Sequence, residues 1–165
     1  MTGNELLRLN IIEDIKLAFR GSDYPGDQNL GREEIQSFRG YSWENVPLDV
    51  LVSHRDDLMF FSVPAFCYFV PAMLLALLEH DAEVDTLHEN LILMLSPPSP
   101  DRPIWDQEFF IMADGFSDQQ RAVLCRFFEG YTQLFPISSL TDHVLYAAAL
   151  KDGEGFWCQE SDTLA

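Results

Sequence analysis

From Leu58 to Leu78 the chain carries no charged residue, and two prolines, Pro64 and Pro71, fall inside that run. A stretch this long could cross a bilayer as a helix of about 20 residues. Its flanks argue otherwise: Asp56 and Asp57 precede it, Glu79 and Asp81 follow, and no basic cluster sets an orientation. Apolar side chains that cover every face of a helix need protein around them instead. Ser62 is placed to cap that helix, and Pro64 sits in its first turn, where a missing N–H costs nothing. Pro71 removes a donor further in and crowds the preceding turn, so the expectation is a kink, or two helical pieces meeting there. The fold class that follows is mainly α: a single-domain irregular helical bundle, residues 1–165, around a Pro-kinked central apolar helix.

The remaining segments read as shorter helices packed around that centre. Residues 4–20 carry Leu6, Leu9, Ile12, Ile15 and Phe19 at helical spacing, with Gly21 as the stop. Tyr24-Pro25-Gly26-Asp27 then reads as a turn. Gly31-Arg32-Glu33-Glu34 opens a short helix that turns Ile35 and Phe38 inward and closes at Gly40; Trp43 follows as a core anchor. Another short helix after Pro47 carries Leu48, Leu51 and Val52. Residues 85–95 place Leu87, Leu91 and Leu95 on one stripe. The connector Ser96-Pro97-Pro98-Ser99-Pro100, continuing to about Trp105, is expected to run extended across the surface. Ser117 and Gln120 have the form of a capping box ahead of Val123, Leu124, Phe127, Phe128 and Tyr131. A last helix is expected from Thr141 to Gly153, with Phe156 and Trp157 folding back onto the body and residues 159–165 a frayed tail.

Composition narrows the class of function. Hydrophobic residues make up 47% of the chain and thirteen residues are Phe, so material for a core is abundant. Twenty-seven acidic residues against ten basic ones give a formal net charge of −17. Such a charge repels nucleic acid and anionic lipid and attracts a basic partner over long range. No run of basic residues interleaved with aromatics exists to oppose that reading. Cys67, Cys125 and Cys158 are odd in number and widely spaced, which suits a reducing compartment. Residues 1–9 lack a secretory pattern, so the expected location is cytoplasmic and the expected mature protein is the whole chain.

The ordered series Tyr24-Pro25-Gly26-Asp27, Phe38-Arg39-Gly40-Tyr41-Ser42-Trp43, Pro64-Ala65-Phe66-Cys67-Tyr68-Phe69-Val70-Pro71-Ala72 and Gln119-Gln120-Arg121-Ala122-Val123 resembles a bacterial family of helical domains of unknown function. The resemblance covers most of the chain. It implies a bacterial, cytoplasmic, helical protein and carries over no catalytic residue.

Motifs that would spell out a reaction are missing. Gly115-Phe116-Ser117-Asp118-Gln119 lacks the second glycine of a nucleophile elbow, and Ser117 reads as a cap. Cys67 lies in the most apolar segment and Cys125 is flanked by Leu124, Arg126 and Phe127, and both read as packing residues. Neither GxxxxGK nor GxGxxG occurs, so no nucleotide cofactor is expected. The densest set of potential metal ligands is His80, Asp81, Asp85, His88 and Glu89, from which His80, Asp85, His88 and Glu89 could hold zinc or manganese. Their spacing matches no zinc signature, and the bland account is a solvated acidic turn. His54-Arg55-Asp56-Asp57 reads likewise, as a helix end and loop.

Charge and the missing motifs together point to a stoichiometric binding protein rather than an enzyme. The expected partner is a basic protein, such as a cognate toxin directed at nucleic acid, met by Glu33, Glu34, Asp81, Glu83, Asp85 and Glu89; no nucleic acid, membrane or cofactor is expected. A metal-dependent enzyme built on the His80–Glu89 cluster is the alternative, and a scaffold domain presenting the Pro-rich segment is a third.

Overall fold

Ser62 starts the apolar helix as its side chain allows, accepting a hydrogen bond from the Ala65 amide at 3.2 Å. The computed structural model describes residues 1–102, 107–136 and 144–163, with side chains throughout these except at 144, 145 and 160–163. The apolar helix spans Val63–Glu79 as one uninterrupted segment with Pro71 inside it, rather than as two pieces. Pro71 denies the Cys67 carbonyl its usual donor. The helix tolerates this at the centre of the molecule, where Phe66, Phe69, Val70, Met73 and Leu74 are fully buried. Among the described residues no helix is long and apolar enough to cross a membrane.

Around it the described residues form six further α-helices and no strand. With the central helix counted, the seven in chain order are α1 (Gly3–Phe19), α2 (Leu48–Ser53), the central α3 (Val63–Glu79), α4 (Leu87–Met94), α5 (Glu108–Asp114), α6 (Asp118–Leu134) and α7 (Val144–Thr163). Helix α1 packs on α6 and α3, α7 packs on α6 and α4, and α3 is covered by α5 and α4. One continuous apolar core joins all of them. Its centre is aromatic: Phe38 lies 4.8 Å from Phe61 and 5.1 Å from Phe69 between ring centroids, edge to face. Trp43 is buried against Phe19, as an anchor should be.

Two capping boxes fix helix starts. Thr2 and Glu5 close the first turn of α1, and Ser117 and Gln120 close that of α6, each pair exchanging a side-chain and a backbone bond. Ser117→Ala is expected to destabilise the fold by about 1 kcal/mol, the usual worth of such a cap. For a chain of this length that is a drop of roughly 2–4 °C in melting temperature, read by thermal denaturation.

Five readings of the sequence need correction. Helix α4 begins at Leu87 rather than at 85, because Asp85 adopts a left-handed backbone (φ 52°) that ends the preceding turn. The seven-residue α5, with Phe109, Met112 and Ala113 buried, follows the connector where none was expected. That connector is docked rather than running free: Ser96 is buried, and the buried Arg102 pairs with Asp152 of α7 at 2.6 Å. Residues 103–106, its expected continuation, lie outside the described residues. Helix α7 runs through Gly153 to Thr163, so among the described residues neither a stop at Gly153 nor fraying over 159–163 is seen, and 164–165 lie outside them. The expected start at Thr141 lies outside the described residues.

Gly153 serves a different purpose there. A β-carbon at this position would lie 2.4 Å from the Phe128 ring, so glycine lets α7 approach α6. Phe156 and Trp157 continue the helix, and Trp157 buries its ring while donating its indole N–H to the Leu95 carbonyl at 2.8 Å. The fifth correction concerns the cysteines. Cys125 of α6 and Cys158 of α7 are joined in a disulfide, whereas Cys67 is a thiol.

Candidate functional site

The turn between α3 and α4 carries Asp81, Glu83 and Asp85 outward, because the intervening Val84 is fully buried and pins the segment to the core. Each carboxylate has a nitrogen partner within 4 Å. Arg8 of α1 lies 3.7 Å from Asp81, donates to the Leu78 carbonyl and stacks 5.4 Å over the Phe135 ring. His80 is 3.9 Å from Glu83. Arg55, just after α2, reaches Asp85 at 3.5 Å and Asp56 at 4.0 Å. The side chains of Glu83 and Asp85 remain 63% exposed and that of Asp81 46%, so these pairs leave the acids open to solvent.

The loop after α2 is tied into the same region by hydrogen bonds. Asn90 of α4 donates to the Arg55 carbonyl at 2.7 Å and to the Asp56 carboxylate at 3.0 Å. Thr86 reaches Asp56 at 3.5 Å. Asp81, Glu83 and Asp85 therefore line one exposed turn, with Arg8 beside Asp81 and with Asp56 brought near Asp85 through Arg55, while Glu89 is partly buried on α4. On the α1 side the region adjoins a shallow depression of about 360 Å³ lined by Met1, Glu5, Arg8 and Leu9.

Glu33 and Glu34 stand apart from this set. They are exposed on a 3-10 helix, Glu33–Phe38, whose Ile35 and Phe38 are buried. Phe38 packs against His54 at 5.4 Å, and this places their helix next to the loop that carries Arg55 and Asp56. Of the six expected contact residues, then, Asp81, Glu83, Asp85 and Glu89 belong to one segment and the other two to a neighbouring element.

His80, Asp85, His88 and Glu89 do not converge as a metal site. His80 turns to Glu83, Asp85 to Arg55, and His88 into the protein. The described residues bring together a different trio of potential ligands, Cys125, Glu129 and Cys158, whose donor atoms lie within 4.8 Å of one another. Both sulfurs of that trio are held in the disulfide.

His88 is half-buried, with its Nδ1 2.6 Å from the Tyr131 hydroxyl, which lies 2.5 Å from the Tyr146 hydroxyl. Burial lowers the His88 pKa below the ordinary 6.5, opposed by the Asp81 carbonyl and the Asp81 and Glu89 charges. A neutral His88 accepts at Nδ1 from Tyr131, which leaves the Tyr131 oxygen to accept from Tyr146. Burial likewise raises both phenols, Tyr146 to about 12, so neither ionises near neutrality. The chain of hydroxyls thus joins α4, α6 and α7 beneath the acidic turn. Tyr131, Tyr146, Arg8 and Arg55 had no signal that a single sequence could reveal as a site. His88 did: it lies four residues from each of the buried Val84 and Ile92, on the inward stripe.

The lowered His88 pKa fixes the sign of a pH effect. The folded state holds this proton less tightly than the unfolded chain, so its contribution is complete above about pH 6.5 and is lost as pH falls through the folded value. The stability difference between wild type and His88→Gln is expected to shrink as pH is lowered from 7.5 to 5.5. Its slope is at most about 1.4 kcal/mol per pH unit, the limit for one proton. Urea denaturation of both proteins at each pH measures the difference and cancels the common effect of the carboxylates.

Compared with known proteins, the chain matches no family model, no curated protein and no solved structure.

Proposed function

We propose that this chain is a stoichiometric binding protein whose acidic turn, Asp81, Glu83 and Asp85 with Asp56 and Glu89 beside them, engages a basic protein partner. The observation that carries this reading is the holding of exposed carboxylates by Arg8, His80 and Arg55 on a framework pinned by the buried Val84. Carboxylates already ordered lose less freedom on binding than mobile ones. A net charge of −17 adds long-range attraction, which raises the rate of encounter with a cationic surface. The adjoining depression offers apolar surface from Met1 and Leu9 next to the charges, a combination that a protein interface uses. An inhibitor of the immunity or antitoxin type, occupying the basic cleft of a nucleic-acid-directed enzyme, fits this chemistry because carboxylates can replace phosphates there. Glu33 and Glu34 extend the contact if the partner reaches across the Arg55 loop.

The test uses the full chain and a variant with Asp81→Asn, Glu83→Gln and Asp85→Asn, each immobilised and exposed to lysate of the source organism. The wild type is expected to retain a basic protein that the variant retains roughly tenfold less at low salt, with calorimetry of the isolated pair giving one-to-one binding that weakens as salt rises. Retention unchanged by the triple substitution, or binding indifferent to salt, removes the reading.

A further inference from the structure

The Cys125–Cys158 disulfide joins two elements with unequal access to solvent. Cys125 lies on the inward side of α6 and is 8% exposed, whereas Cys158 of α7 is only partly buried. Cys158 also lines an open depression of about 420 Å³ together with Lys151, Glu154, Gly155 and Gln159. Glu129 of α6 places Oε1 3.6 Å from the Cys158 sulfur. A disulfide sulfur carries no proton, so this contact is a negative charge held beside an electrophilic atom rather than a hydrogen bond.

We propose that this disulfide is a thiol-exchange site at which a low-molecular-weight thiol, cationic or neutral rather than anionic, attacks Cys158. Displacement at sulfur requires room for the nucleophile next to the atom attacked, and the depression supplies that room at Cys158 alone of the two. The thiolate of the incoming molecule forms a bond to Cys158 Sγ as the Cys125–Cys158 bond breaks. Cys125 leaves with the electron pair and takes a proton from water. A second thiolate attacks the small-molecule sulfur of the mixed disulfide, releasing a symmetrical disulfide and Cys158 as a thiolate that takes a proton from water in its turn. The protein gains two electrons and two protons overall, and two thiols are oxidised. Glu129 repels an attacking thiol that carries additional negative charge and favours one that carries an ammonium group. Cys67 does not compete, since burial raises its thiol to about 12 and keeps it protonated. The inference is independent of the acidic turn and its partner.

The experiment treats the oxidised full chain with cysteamine, 2-mercaptoethanol and glutathione at equal thiolate concentration. Acid-quenched samples are followed by intact mass and by mapping of the mixed disulfide without reductant. Adducts are expected on Cys158, formed several-fold faster by cysteamine than by glutathione, with that ratio reduced in Glu129→Gln. As a second measurement, Cys158 in Cys125→Ser is expected to capture cystamine at least several-fold faster than Cys125 does in Cys158→Ser. Adducts on Cys125, a charge order that is absent or unmoved by Glu129→Gln, or faster capture by Cys125 would overturn the proposal. So would alkylation of both cysteines in the purified chain before any reductant is added.

Discussion

Gly31→Ala is expected to destabilise the fold by about 3–5 kcal/mol, enough to lower the melting temperature by roughly 10 °C or more. Gly31 has φ +138°, a backbone that a side chain strains, and a β-carbon there would stand 2.1 Å from the Phe60 carbonyl oxygen and 2.8 Å from the Ser62 nitrogen. Those atoms are backbone and cannot rotate away. They also belong to the bridge that joins the Gly31 segment to the start of α3, in which Arg32 donates to Phe60 at 2.9 Å and Ser62 donates to Leu30 at 2.8 Å. Any shift that admits the methyl group therefore loosens two hydrogen bonds beside the Ser62 cap. Gly40→Ala is the control, because Gly40 also has positive φ, +85°, but nothing lies within 4 Å of its missing β-carbon. It should cost only the strain, about 1–2 kcal/mol. Equal effects for the two substitutions in urea denaturation would show that the close approach at Gly31 contributes nothing.

Opening the Cys125–Cys158 disulfide is expected to cost about 3–4 kcal/mol. The link closes a loop of 33 residues, and the unfolded chain regains that loop's freedom once the bond is cut. The double variant Cys125→Ser with Cys158→Ser should match the reduced wild type, melting roughly 10 °C below the oxidised protein. Loss should centre on the join between α6 and α7, where Gly153 packs on Phe128 and Trp157 holds the Leu95 carbonyl. An oxidised protein no more stable than the double variant would mean that strain or residual structure cancels the loop term.

What the sequence made legible was local. Ser62 and Ser117 announced the starts of α3 and α6, because capping is decided within four residues, and the run from 58 to 78 identified the central helix by composition alone. Glycine was ambiguous: Gly153 resembled a helix stop, yet its role depends on Phe128, a neighbour supplied by packing rather than by sequence spacing. Asp85 was counted into α4 for the same reason, since the Arg55 that meets its carboxylate comes from another element. The pairing of Cys125 with Cys158 follows from how α7 lies on α6, and no spacing rule encodes that. In the acidic segment the sequence grouped His88 with surface ligands, although its spacing from Val84 and Ile92 already turned it inward. The outward set of Asp81, Glu83 and Asp85 could be read, but the arginines that hold it could not.

The concentration of negative charge at the α3–α4 turn is tested most directly by following the backbone amides of the full chain by NMR while a short oligolysine peptide is added. Shift changes are expected to gather at residues 55–57 and 80–90 and to fade towards 1 M salt, where charges are screened over about 3 Å. Changes strewn evenly over the exposed amides, or centred on another face, would contradict it.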